Sequence, residues 1–189
     1  YPATSGAFEN EVSSLKSTLE LDPDNIMANE RLEAMEPCRA NLVPFLERRL
    51  KRASQEDKIE IQVALVESIY PDLPQQAFSM ICDVVEENPS HLPALRIATN
   101  MARKMNNPQL LSRFLSLQAQ CLENMEMRVI TWCEAARIAR DQLNHIDMAI
   151  DYFKQAFMLA PQRMDLCDQL LDLLRRKRDV AAIDSILQI

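Results

Sequence analysis

MEMRVITWCEAARIARDQLNHIDMAIDYFKQAFMLAP, residues 125–161, is the stretch that decides the fold. Trp132, Ala135, Ala136 and Ala139 recur at intervals of three and four, which places them on one face of a helix. A polar run from Asp141 to His145 interrupts the pattern. It resumes at Ala149, Phe153 and Ala156, and Pro161 stops it. Two amphipathic helices, 125–141 and 146–159, joined by so short a turn, must lie antiparallel.

The same paragraph mark recurs along the chain. Ala77, Ile81 and Val84 precede Pro89 at the distances at which Ala149, Phe153 and Ala156 precede Pro161. Pro23 closes an earlier helical stretch, so the gaps between these prolines are 66 and 72 residues. Each gap is close to two periods of about 34, and a period of that size marks stacked helix pairs. Around this ruler the apolar pattern predicts helices over 7–21, 24–35, 39–53, 56–70, 74–87, 91–105, 108–123, 125–141, 146–159, 162–177 and 179–189. Pro44 and Pro108 fall in first turns, where proline is tolerated. The expected fold class is all-α: a right-handed α-solenoid of about five and a half antiparallel pairs, forming a single domain over 1–189.

Composition agrees. The 189 residues include a single glycine, Gly6, and the good helix formers dominate. A net charge of −7 argues against non-specific nucleic-acid binding. Five cysteines, Cys38, Cys82, Cys121, Cys133 and Cys167, form no CxxC pair and fall on apolar faces, as thiols in a reducing compartment do. A cytoplasmic location is therefore expected. No run of about 18 apolar residues is present, so no membrane span is expected. The chain starts at Tyr1-Pro2 and ends within an amphipathic pattern, which reads as a fragment of a longer protein.

No catalytic arrangement emerges. The two histidines, His91 and His145, stand in or beside predicted turns, and neither HExxH, Cys/His metal spacing nor a glycine-rich phosphate loop occurs. No enzyme activity, metal or cofactor is expected. Basic runs at 48–52 and 175–178 lie at helix C-termini, where cations complement the helix dipole.

These residues resemble the tetratricopeptide repeat. Trp132, Ala135, Ala136 and Ala139 match its first helix, and Ala149, Phe153, Ala156 and Pro161 match its second after one extra turn residue. Ile61, Ala64, Leu65, Ser68, Ala77, Ile81, Val84 and Pro89 form a second matching unit, and Leu95, Ala98, Thr99 and Ala102 open a third. The glycine of the repeat's first helix is replaced by Leu65, Thr99, Ala136 and Leu171, larger groups that are expected to push paired helices apart. The resemblance implies a concave face lined by Gln62, Val66 and Ile69, by Arg96, Asn100 and Arg103, by Cys133, Arg137 and Arg140, and by Asp168, Asp172 and Arg175. The middle two sets, Arg96, Asn100, Arg103, Cys133, Arg137 and Arg140, are the candidate partner-binding site.

Four arginines there reverse the chain's sign locally, and guanidinium forks suit carboxylates. The pattern lacks the lysines of the family's dicarboxylate clamp, and Cys133 replaces a polar residue. The implied function is a scaffold or adaptor that binds a partner peptide or helix, with an acidic segment or C-terminal carboxylate as the expected ligand. Two alternatives stand beside it. One is an assembly module that self-associates through an uncapped final helix exposing Ile183, Ile186, Leu187 and Ile189. The other is a scaffold of the half-a-TPR type found in RNA-processing complexes. The four residues by which the second proline gap exceeds two 34-residue periods fall in the stretch that supplies the arginines, so their placement decides whether Arg137 and Arg140 share the face.

Overall fold

Helix starts in this chain are written in short polar side chains. In the computed structural model, which describes residues 3–35 and 43–187, Asn25, Asn107 and Asn124 each accept a hydrogen bond from the backbone N–H three residues on, at 3.0, 3.1 and 2.9 Å. Ser54 and Asp179 do the same for Asp57 and Ala182, and His91 does so through Nδ1 for Ala94. Each satisfies a donor that the first helical turn leaves without an intrahelical partner.

The elements that follow are α1 (Ala3–Leu21), α2 (Ile26–Glu33), α3 (Val43–Arg52), α4 (Gln55–Ile69), α5 (Pro74–Glu87), α6 (Leu92–Lys104), α7 (Pro108–Cys121), α8 (Met125–Asp141), α9 (Ile146–Leu159), α10 (Met164–Lys177) and α11 (Val180–Leu187). No strand occurs among the described residues. Every helix expected from the apolar period is present, with ends displaced by a few residues. Cys38 lies outside the described residues, as does Ile189.

Two compact units divide the chain, Tyr1–Glu86 and Glu87–Ile189. In the first, α1 packs on α2 and α3 on α4. Leu19, Leu32, Leu46, Val66 and Ile81 are among its fully buried side chains. In the second, each helix from α6 to α11 packs on the next in order, the nearest-neighbour pattern of a repeat array.

Glycine is the usual residue where a helix closes through the left-handed region, and this chain lacks it there. Asn106, Asn144 and Arg178 take positive φ of 52, 55 and 61° instead. Behind them the amides of Asn107 and Asp179 reach back to the carbonyls of Ala102 and Leu174, at 3.0 and 3.1 Å. After α8 the closure is one residue wider: His145 N–H donates to Ala139 at 2.8 Å. That residue is part of the surplus between the prolines. The rest lengthens α8, which has 17 residues against 13 in α6 and 14 in α10. Leu95 is the fourth residue of α6, whereas its counterpart Trp132 is the eighth of α8. The remaining three residues make nearly one extra turn at the start of α8, ahead of Trp132, so the face carrying Cys133, Arg137 and Arg140 is not rotated by them.

Side-chain size sets the packing of α8 on α9. Ala135, Ala136 and Ala139 are fully buried, as are Ala149, Phe153 and Ala156. The small residues let the backbones approach, and Phe153 fills the space between them. Trp132 and Tyr152 meet with ring centroids 5.4 Å apart. Ser112 in α7 donates to the carbonyl of Ala135 at 3.2 Å, a buried bond between neighbouring helices. The apolar cluster runs on through Leu166, Leu170 and Leu173 in α10 to Ile186.

Ile186 corrects a sequence expectation. It is 2% exposed, packed into that cluster, because its face of α11 turns toward α10. Ile183 is half-buried against the same cluster. The Leu187 side chain and Ile189 lie outside the described residues.

Two stability measurements check this account. Phe153→Ala is expected to cost about 3–5 kcal/mol in chemical denaturation, as for a large side chain deleted from a packed core. Arg178→Gly is expected to leave stability unchanged or raise it by up to about 1 kcal/mol, since a side chain in the left-handed region costs about 1–2 kcal/mol and glycine escapes it. A clear loss of Tm for Arg178→Gly would contradict the left-handed closure.

Candidate functional site

Arg96, Asn100 and Arg103 stand four and three residues apart on α6, and all three are exposed along one face. That face adjoins α8. The Arg103 guanidinium donates to Glu134 Oε1 at 2.6 Å, a bond from the first helix of one pair to the first helix of the next. Because α7 runs antiparallel between them, α6 and α8 point the same way.

On α8 the three expected residues have three different environments. Arg137 is exposed and, like Arg96, holds no ion pair among the described residues. Arg140 is already engaged. It donates from Nε and a terminal nitrogen to both oxygens of Asp141, at 2.6 and 3.0 Å, and its guanidinium lies 5.8 Å from the centre of the Phe153 ring. Its hydrogen bond to Asp141 raises the Arg140 pKa, and the same bond holds the Asp141 carboxyl below the usual carboxylate range. The Asp172 carboxylate of α10 also acts on Arg140, which brings the third first-helix into the same neighbourhood.

Cys133 is 3% exposed, so it lies under the face and offers a partner no open thiol. Burial pushes its thiol up, against the opposing pull of Arg137 and Arg163. On α10, Asp168, Asp172 and Arg175 are exposed, and Asp172 pairs with Arg176 at 2.9 Å. Lys177 of the same basic run pairs with Asp147 of α9.

The set expected from α4 fares differently. Val66 and Ile69 are buried in the first unit and are core residues there; Gln62 is half-buried, with Oε1 enclosed and without a hydrogen-bond partner. Apolar side chains at those positions are covered rather than left open. Arg96, Asn100 and Arg103 are exposed on α6 and Arg137 is exposed on α8, the two helices being joined by the Arg103–Glu134 bond, while Arg140 is tied to Asp141 and Cys133 is buried. Sequence reasoning missed Glu134 and Asp141. Each stands next to a position that the repeat pattern marks, and a pattern of faces gives no signal for a partner reaching across.

Trp132 buried on α8, three alanines behind it, Phe153 and Ala156 opposite, and a closing proline complete the repeat geometry in the folded chain. The described helices form consecutive antiparallel pairs whose residue pattern resembles that of the tetratricopeptide repeat. No protein-family model matches the chain, and no curated protein does. Among solved structures, a tetratricopeptide repeat protein from Parabacteroides merdae is 16% identical, with 94% of this chain and 70% of that one covered and a TM-score of 0.49. MamA from Desulfovibrio magneticus is 12% identical, with 94% and 92% covered and a TM-score of 0.48. Overlaps this loose leave the repeat resting on the chain's own helices.

The burial of Cys133 has a direct chemical readout. In the folded chain at pH 8, Cys133 is expected to react with iodoacetamide at least about tenfold more slowly than half-buried Cys121, because both access and thiolate fraction are reduced. Peptide mapping after timed labelling measures both rates, and equal rates would place Cys133 on an open surface.

Proposed function

We propose that this chain is a non-enzymatic interaction scaffold, an adaptor that holds an acidic segment of a protein partner against α6 and α8. One observation carries the reading. Arg96 and Arg137 are exposed cations without an ion pair among the described residues, on first helices that the Arg103–Glu134 bond joins. An arginine fork takes a carboxylate through two parallel hydrogen bonds, and a preformed surface spares the partner part of the ordering cost. Asn100 stands between Arg96 and Arg103 as a neutral donor and acceptor for a peptide backbone.

The single domain over 1–189 belongs to the same proposal, carried by the unbroken helical period. No helix among the described residues is long and apolar enough to cross a membrane. Cys121, Cys133 and Cys167 are free thiols, which favours a reducing compartment such as the cytoplasm.

The test uses a fluorescein-labelled ten-residue peptide of alternating glutamate and alanine, with anisotropy read against protein concentration. Arg96→Glu combined with Arg137→Glu is expected to weaken binding at least about tenfold, or roughly 1.4 kcal/mol, while the far-ultraviolet circular dichroism stays unchanged. Equal affinity for the folded double variant would remove these arginines from the function.

A further inference from the structure

Two stripes run along α8, one roofed and one open. Val129 and Cys133 belong to the roofed stripe and are buried. Met127, Ile130, Glu134, Arg137 and Asp141 follow one another at steps of three and four, so they share the other side of the helix. Met127 and Ile130 are 49% and 46% exposed, and Arg137 and Asp141 are exposed as well. Glu134 is half-buried and bonded to Arg103. No buried residue stands in this stripe.

The Arg103–Glu134 bond fixes the level of α6 against α8. Both helices run the same way, so seven residues before that bond Arg96 stands level with Met127, and Asn100 falls close to the level of Ile130. Arg137 lies three residues beyond Glu134, which puts Arg96 and Arg137 about 15 Å apart along the helix direction. Two exposed cations without an ion pair among the described residues thus bracket an exposed apolar pair. Methionine and arginine are both enriched in the cores of protein interfaces.

The next first helix has the opposite sign. Asp165, Asp168 and Asp172 are exposed at steps of three and four along α10, and Asp172 acts on Arg140, on the flank of α8 away from α6. An acidic segment laid across the array toward α10 meets like charge, which costs affinity. Laid lengthwise over α6 and α8 it meets Arg96 and Arg137, and the one acid in its way, Glu134, is already bonded to Arg103.

We propose that α6 and α8 hold an extended acidic segment lengthwise, with one apolar side chain on Met127 and Ile130 between carboxylates that reach Arg96 and Arg137. The proposal rests on the acidic-segment reading above and adds to it the course of the segment and its residue pattern. Every second side chain of an extended chain points the same way, at about 3.3 Å per residue. The pattern acidic, any, apolar, any, acidic therefore sets its carboxylates about 13 Å apart, and the long arginine side chains take up the remainder.

The probe is a blocked five-residue peptide, glutamate, threonine, leucine, threonine, glutamate, carrying fluorescein on a glycine-serine linker. Its residue order is the same in either chain direction, and threonine keeps the spacers extended. Binding by anisotropy is expected at sub-millimolar concentration. Replacing the leucine by serine is expected to weaken it at least about fivefold, as is Ile130→Ser in the protein, an exposed change whose fold circular dichroism checks. Lengthening each spacer to three threonines is expected to have a similar effect. If Arg96→Glu with Arg137→Glu weakens binding but the leucine, spacer and Ile130 changes do not, the lengthwise pattern is overturned while the acidic-segment reading stands. A gain of more than about threefold from Asp168→Asn would place the segment across α10 and would overturn the lengthwise course alone. Absence of binding at about 1 mM, or indifference to the double arginine change, overturns both. A dimer that Ile130→Ser dissociates would give the apolar pair to a second copy of this chain and would likewise overturn the proposal.

Discussion

Everything in the second unit depends on one constraint: an amphipathic helix pair cannot bury its apolar faces alone. Each helix from α6 to α11 packs on its neighbour in sequence, and the buried side chains fuse into a cluster that runs from Ala119 to Ile186. Within it Ala136 and Ala139 of α8 and Ala149, Phe153 and Ala156 of α9 are fully buried, because alanine lets two backbones close on a single aromatic ring. From that seam follow the parallel course of α6 and α8, the exposure of the face carrying Arg96 and Arg137, and the covering of Cys133 beneath it. A chain with so little glycine can hold this arrangement only if other residues close the helices, and Asn106, Asn144 and Arg178 do so in the left-handed region.

The helical pairs were legible because the signal is periodic and repeated. Alanine, leucine and phenylalanine at three- and four-residue steps, cut by Asn-Asn, Asn-His and proline, define the helices and their ends without tertiary information. Asn107 and Asn124 then serve as caps and Pro108 as a first-turn residue, as local chemistry alone would have it. What periodicity cannot supply is which neighbour covers a given stripe. Val66, Ile69 and Ile186 sit on faces that a regular array would leave open, yet they are buried. Cys133 occupies a position expected to line the surface and lies under it instead, since a small thiol beside Val129 and Trp132 is easily roofed by the next helix.

The surplus residues between Pro89 and Pro161 show how a count alone underdetermines geometry. An insertion between Trp132 and Arg137 that is not a whole number of turns would swing Arg137 away from Arg103. Placed instead as three residues at the start of α8 and one in the turn after it, the four surplus residues leave both arginines in register and lengthen the helix past its neighbours. The added turn also has nothing of the array opposite it on one side. That is why Met125 remains exposed while Val129, one turn later, is buried.

Electrostatics then separates the arginines that the sequence treats alike. Arg140 is half-buried, bidentate to Asp141 and stacked near Phe153; capturing a ligand there would exchange one set of bonds for another with little net gain. The Arg103–Glu134 pair is solvent-exposed, worth at most about 1 kcal/mol, and a stronger carboxylate contact can displace it. Arg96 and Arg137 are exposed and hold no ion pair among the described residues, although Arg137 acts electrostatically on Asp141. The chain's overall charge of −7 repels an acidic partner at long range, but screening confines that repulsion to about 8 Å at physiological ionic strength. Within that distance an approaching carboxylate meets the local guanidinium groups before the distant acids. An overall negative charge is therefore compatible with local attraction of a carboxylate at an exposed guanidinium.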